Sequence, residues 1–213
     1  MTTGKRVAVT VVLCLAFSAL VLLGFINKLS KPRILSDAEL REYGTMILDT
    51  PRRFSDFKLV DHNGAPFTRD DLMGKWTLIF FGFSHCPDIC PSALATLNKV
   101  VEPLEEEEKA NLQVIMLSVD PERDTPEKLA QYVPYFNPDF RGVTGDPYQI
   151  LSLATQLGVA YQKVPQGDDY TVDHTGNIVI INPRGDYHGL FRPPFEEGSM
   201  RVAWRSIAYT FDH

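Results

Sequence analysis

The run VAVTVVLCLAFSALVLLGFI, residues 7–26, places no charge in twenty consecutive positions and constrains everything that follows it. A helix of about twenty apolar residues matches the roughly 30 Å hydrocarbon core of a bilayer. A secretory signal would carry a shorter apolar region and a small-residue cleavage site, and the following LLGFINKLS supplies none. The run therefore reads as an uncleaved transmembrane anchor behind a short basic leader, residues 1–6, that holds Lys5 and Arg6. Lys28, Lys31 and Arg33 lie on its other side, so counting positive charges leaves the orientation open. Cys14, inside the run, lacks the context of a lipid-attachment site and reads as a small apolar filler.

An anchored chain needs a folded part, and residues 27–213 are enough for one domain with a sizeable core. They carry 19 basic against 27 acidic side chains, a net charge of −8, which offers no basic face for nucleic acid. The EEEE run at 105–108 reads as a solvated helix end, although acids at a C-terminus oppose the dipole. Residues 27–53 show no sustained strand pattern and read as a linker, with a short helix near SDAELREYG capped by Ser36 or Asp37. The folded domain is expected over 54–213.

Within it, FKLVDHNGAPFTRDDL predicts a hairpin turning at His62-Asn63-Gly64, which makes His62 a turn residue. Residues 76–81 and 112–119 are short apolar runs of the buried-strand type. Between them Pro91, Leu94, Leu97, Val101 and Leu104 recur at helical steps. Asp124-Thr125-Pro126-Glu127 gives a cap, a first-turn proline and a first-turn acid for the next helix, and residues 147–157 form another stopped by Gly158. Residues 170–174 and 177–182 flank Thr175-Gly176 as an expected hairpin; a strand at 187–191 and a helix at 196–211 close the chain. A βαβ unit followed by a hairpin and a closing helix predicts an α/β, thioredoxin-like fold behind the transmembrane anchor.

The chemistry gathers in HCPDIC, residues 85–90, at the end of the first buried strand. With Cys86 and Cys90 on the first turn of the following helix, the i, i+4 spacing sets both sulfurs on one face. A helix N-terminus stabilises the thiolate, the form that binds metal and attacks disulfides. Two such thiols could share a metal ion, close a disulfide, or remain inert in the core. A metal needs a third donor. Of the five histidines, His213 is terminal, His62 lies in a turn and His85 points away from its neighbour Cys86, which leaves His174 and His188 level. Two thiolates and an imidazole suit Cu(I), a soft ion content with three ligands.

Three stretches together, FFGFSHCPDICP, LSVDPERDTPE and VDHTGN, resemble the Sco/SenC family of membrane-anchored copper proteins in order and separation. The resemblance implies a thioredoxin-like domain holding one copper ion per chain on Cys86, Cys90 and His174, which separates His174 from His188. It further implies work on the binuclear copper centre of cytochrome c oxidase subunit II, with a copper donor protein or a thiol reductant as a second partner. It implies a soluble domain outside the cytoplasmic membrane of a bacterium or in the mitochondrial intermembrane space. The short leader, with no Arg/Ser-rich transit peptide, favours the bacterial inner membrane with the domain on the periplasmic side.

Delivery of copper stands beside two other readings. One is thiol-disulfide reduction, with Cys86 as nucleophile and Cys90 as resolving thiol. The other is a copper or redox sensor. A peroxiredoxin is set aside, because its P-x-x-x-T-x-x-C pattern would need Pro at Ile79 and Thr at Phe83. Asp120 and Asp124 read first as a strand-end turn residue and a helix cap, and Asp88 as a first-turn acid. In the resembling family, acids at such positions border the copper face.

Overall fold

The computed structural model describes residues 3–29, 32–167 and 169–212. It divides into two compact units, one running to Ile34 and including the last turns of the C-terminal helix from Trp204, the other running from Leu35 to Ala203. The first contains helix α1 (Thr3–Leu29), which is long and apolar enough to cross a membrane and whose apolar side chains from Val9 to Phe25 are exposed.

The second unit is built on an eight-stranded sheet. In chain order it contains α2 (Asp37–Glu42), β1 (Thr45–Arg52), β2 (Lys58–Asp61), β3 (Pro66–Thr68), β4 (Trp76–Gly82), α3 (Ile89–Val101), α4 (Glu106–Ala110) and β5 (Leu112–Ser118). There follow α5 (Pro126–Tyr132), β6 (Arg141–Thr144), α6 (Pro147–Gln156), β7 (Tyr161–Gln166), β8 (Asp169–His174), β9 (Ile178–Ile181), β10 (Tyr187–Phe191) and the start of α7 (Glu197–Asp212), whose residues from Trp204 fall in the first unit. The strand order is β1-β10-β9-β4-β5-β6-β2-β3. The parallel centre, β4-β5-β6, is joined by α3 and α5, and every residue of β4 is buried. That is the expected position for a strand that reads as a continuous apolar run. This is the thioredoxin-like α/β arrangement, and it delivers the cysteine loop to the C-terminal end of the central strand.

The sequence expectation fails at five places. Residues 45–52, which read as linker, form β1 and pair antiparallel with β10, Met46 opposite Leu190. Gly189 permits this approach, since a Cβ there would lie 2.3 Å from the Met46 carbonyl oxygen. Leu35 and Leu40 are buried as well, so the folded unit begins well before Phe54. The short helix does form, with Ser36 accepting from Glu39 in a capping box. Second, β8 pairs with β7, not with β9; Thr175-Gly176 is a crossing between sheets, and the hairpin turn lies at Gly167 (φ +63°). Third, the glutamate run opens a helix instead of ending one: the Glu105 N–H donates to Glu108 Oε2 at 2.9 Å, and the acids complement the dipole. Fourth, α3 starts at Ile89, so Cys86 precedes the helix and only Cys90 lies on it. Fifth, Thr125 caps α5 by accepting from the Lys128 N–H, and Asp124 turns inward.

Candidate metal centre

The loop after β4 brings the first two donors together. Cys90 is fully buried on the first turn of α3, and Cys86 is partly exposed just before it. The Cys90 N–H donates to Cys86 Sγ at 3.4 Å, so this sulfur takes an orphan donor of the helix N-terminus. Gly82 makes room for the arrangement: a Cβ there would sit 3.1 Å from Cys90 Sγ and 2.6 Å from the Phe80 ring. Both thiols are free.

His174, the last residue of β8, supplies the third donor. Its Nε2 lies 3.6 Å from Cys90 Sγ, and its Nδ1 lies 3.3 Å from the Thr175 carbonyl oxygen. In the tautomer a metal ligand requires, Nδ1–H donates to that carbonyl and the Nε2 lone pair faces the sulfurs; without metal, a proton on Nε2 can instead be donated to Cys86. The ring stands edge-on to Phe80 and Phe83, with centroids 5.9 and 6.0 Å away. The donor atoms of Cys86, Cys90 and His174 all lie within 4.8 Å of one another, and among the described residues this is the one His/Cys/Asp/Glu cluster with metal-site geometry. An open hollow of about 430 Å³, lined by Ala160, Tyr161, Gln162, Asp173, His174 and Thr175, borders the imidazole.

The two thiols differ. The Cys86 thiol is pushed down from an ordinary 9.0 to about 4, first by its hydrogen bond with Cys90; burial opposes this, and His174 and the Asp88 and Cys90 N–H groups assist. The Cys90 thiol is pushed up, because it donates that bond and is buried. In the metal-free state the pair holds one thiolate, on the exposed sulfur. Burial beside the pair likewise keeps the Tyr132 phenol protonated.

The other described histidines are not part of this cluster. His62 is tied to the β6 edge, its Nδ1 accepting from the Gly142 N–H at 3.1 Å. His188 lies in β10 with its ring edge-on to Trp76. The His85 side chain is 45% exposed, 3.1 Å from Ser84 Oγ through its Nδ1. His213 lies outside the described residues. Asp88 sits at the α3 N-cap without a side-chain capping bond.

Sequence reasoning missed what holds the two sides together. Asp124, fully buried, accepts from the Ser84 N–H at 3.0 Å, from Ser84 Oγ and from Ser118 Oγ at 2.7 Å, tying the cysteine loop to the end of β5. Asp120, also fully buried, accepts from Arg123 Nε and from the Tyr170 hydroxyl at 2.8 Å. Their spacing beside a Thr-Pro cap carries no sign of an inward turn.

A thioredoxin-like domain with two thiols at the N-terminus of the helix after the central strand, and an imidazole brought across them, defines a class of metal- and thiol-handling proteins. Within that class, the sequence profile of the SCO1/SenC family matches residues 47–208, and the chain belongs to that family. It is 35% identical over 168 residues to a Stutzerimonas stutzeri protein described as copper-binding, covering 78% of this chain and 82% of that one. It is 36% identical over 179 residues to the mitochondrial protein SCO2 of Saccharomyces cerevisiae, covering 80% of this chain but 58% of the yeast protein. The crystal structure of Arabidopsis thaliana ScoI with copper bound superposes with a TM-score of 0.70 at 34% identity, over 74% of this chain and 98% of that one.

Proposed function

We propose that this protein binds one copper ion through Cys86 Sγ, Cys90 Sγ and His174 Nε2 and passes it to the binuclear copper centre of cytochrome c oxidase subunit II. The observation that carries the reading is the convergence of two sulfurs and one imidazole nitrogen within 4.8 Å. Soft thiolates and three donors suit Cu(I), and one ligand short of a closed tetrahedron leaves a place for an incoming ligand. Cys86 and His174 are partly exposed, and the hollow beside His174 admits an acceptor's donors, so transfer can proceed by ligand exchange. Family membership supports the oxidase as destination. Helix α1 would hold the domain at the bacterial inner membrane, on the periplasmic side with the acceptor.

The unequal thiols favour a second activity on the same acceptor. The Cys86 thiolate attacks one sulfur of a target disulfide and expels the other as a thiolate; Cys90 then gives up its proton and attacks Cys86, releasing the reduced target. The protein is left with a Cys86–Cys90 disulfide, two electrons having passed to the target, and a thiol reductant must restore it. Such an exchange has no need of His174.

Copper titration of the reduced soluble domain tests the site. Cys86→Ala, Cys90→Ala or His174→Ala should each weaken Cu(I) binding by well over tenfold, more than about 1.4 kcal/mol. His188→Ala should leave it intact, and the oxidised domain should take up no copper until reduced. Wild-type affinity in Cys90→Ala would remove the site. Oxidase assembly at low copper then separates the activities: His174→Ala should reproduce the loss of binuclear copper caused by deleting the gene, whereas a purely thiol-reducing protein would tolerate it.

A further inference from the structure

We propose that Arg123, Asp120 and Tyr170 form a clamp that sets the position of His174 over the cysteine pair, making them positioning residues of the metal site. The inference rests on the three-ligand reading above and adds what holds the third ligand in place. The need for such a device comes from the topology. His174 is carried by the β7-β8 ribbon, which among the described residues shares no strand pairing with the eight-stranded sheet whose strand β4 leads into the cysteine loop. A lone two-stranded ribbon is marginal in water, so its place must be fixed by other contacts.

The contacts converge on Tyr170. Its hydroxyl donates to the fully buried Asp120 at 2.8 Å, and its carbonyl oxygen accepts from Arg123 Nη1 at 3.0 Å. Arg123 Nε donates to Asp120 from the other side. The guanidinium carbon lies 3.9 Å from the centroid of the Tyr170 ring and 5.9 Å from that of Phe83, whose ring meets His174. Strand β7 is fixed to the same loop, Lys163 Nζ reaching Glu122 at 2.6 Å and lying 4.5 Å from the Tyr170 ring centre.

Strand geometry turns this into control of the imidazole. Residues two apart on a strand share a face, so Tyr170, the buried Val172 and His174 point the same way. Fixing Tyr170 against the loop after β5 therefore fixes the face on which His174 projects. That loop is joined to the cysteine loop through Asp124, and the chain of contacts closes: Cys86-containing loop, Asp124, Asp120 with Arg123, Tyr170, His174. Loss of the clamp should leave both sulfurs in place and let the imidazole drift.

The test is a thermodynamic cycle on the reduced full-length protein in detergent micelles, with Cu(I) as titrant and Cu(II) as spectroscopic probe. Arg123→Gln should lower Cu(I) affinity by about tenfold or more, as loss of a group that orients a ligand does. In a His174→Ala background the same change should alter affinity by no more than about twofold, because its effect passes through the missing imidazole. The Cu(II) form of Arg123→Gln should lose the nitrogen hyperfine signature of the imidazole and keep the sulfur-to-copper charge-transfer band. Tyr170→Phe, which keeps the ring stack and loses one hydrogen bond, serves where Arg123→Gln fails to fold; it should raise amide exchange across β8 and weaken binding in the same His174-dependent way. Full affinity in folded Arg123→Gln or Tyr170→Phe, or an equal loss with and without His174, overturns the clamp. A His174→Ala protein that binds like the wild type overturns instead the three-ligand reading.

Discussion

At the residue scale, two features shape the site: the space left at Gly82 and the inequality of the two thiols. Gly82 is required for space: a methyl group there would meet the Phe80 ring and Cys90 Sγ at distances real Cβ atoms rarely show. Gly82→Ala should cost about 1–3 kcal/mol of stability from overpacking. It should also weaken copper binding, since the sulfur has to move; urea unfolding and copper titration of the same preparation read both effects. The thiol asymmetry is the second. With Cys86 held down to about 4, alkylation of the reduced, metal-free protein should begin at Cys86 and stay nearly independent of pH from 6 to 8. An ordinary thiol at 9.0 would gain rate about tenfold per pH unit there. Because His174 contributes to the shift, His174→Ala should move the Cys86 profile upward, and peptide mapping of the alkylated sites at several pH values checks it.

At the element scale, the parallel centre was legible because its signal is local. Strands β4 and β5 are unbroken apolar runs and α3 has a regular apolar face, so the βαβ unit and its cysteine-bearing end follow from periodicity alone. Strands β1, β6 and β8 were not, or were paired wrongly, because their identity lies in what they meet. β1 has the burial pattern of an edge strand and contains Pro51 and Asp49, and only Gly189 on its neighbour admits it. β6 is four residues long. The partner of β8 was misjudged because Thr175-Gly176 has turn composition, while the chain there crosses from one sheet to another. The ligand pair Cys86/Cys90 was visible in the spacing; His174 was distinguishable from His188 only through the family pattern, and position now separates them physically, His174 lying with the sulfurs and His188 against Trp76. In β10, His188 is held neutral, its pKa pushed down to about 4 by burial and then by Arg184. Between pH 6.5 and about 4 the unfolded chain binds a proton that the folded one does not. The stability this residue contributes is therefore present above 6.5 and lost as pH falls toward 4. Urea midpoints of the wild type should drop across that window by more than those of His188→Gln, and equal slopes would remove the assignment.

At the scale of the whole molecule, the folding of α2 and β1 changes what helix α1 could do as an anchor. Read from sequence, residues 27–53 were a free tether; in the structure seven residues join Leu29, the end of α1, to Asp37, the start of α2. Fully extended, such a segment spans about 25 Å, and as a flexible chain its average span is about 15 Å. Cargo transfer by ligand exchange needs contact with the acceptor, and a short tether keeps the local concentration of the copper site high for any acceptor whose donors lie at that depth. Concentration falls with roughly the 3/2 power of tether length once the span is exceeded, so inserting about twenty Gly/Ser residues before Asp37 should reduce it by about eightfold. On the delivery reading proposed above, a strain with the lengthened tether should assemble severalfold less copper-loaded oxidase than the wild type under copper limitation, and added copper should restore it. The matching control removes α1 and exports the domain free, which should be worse than either and recover with overexpression. Binuclear-copper content of the purified oxidase reads all three strains, and equal content with the short and long tethers at low copper would show that reach does not govern delivery.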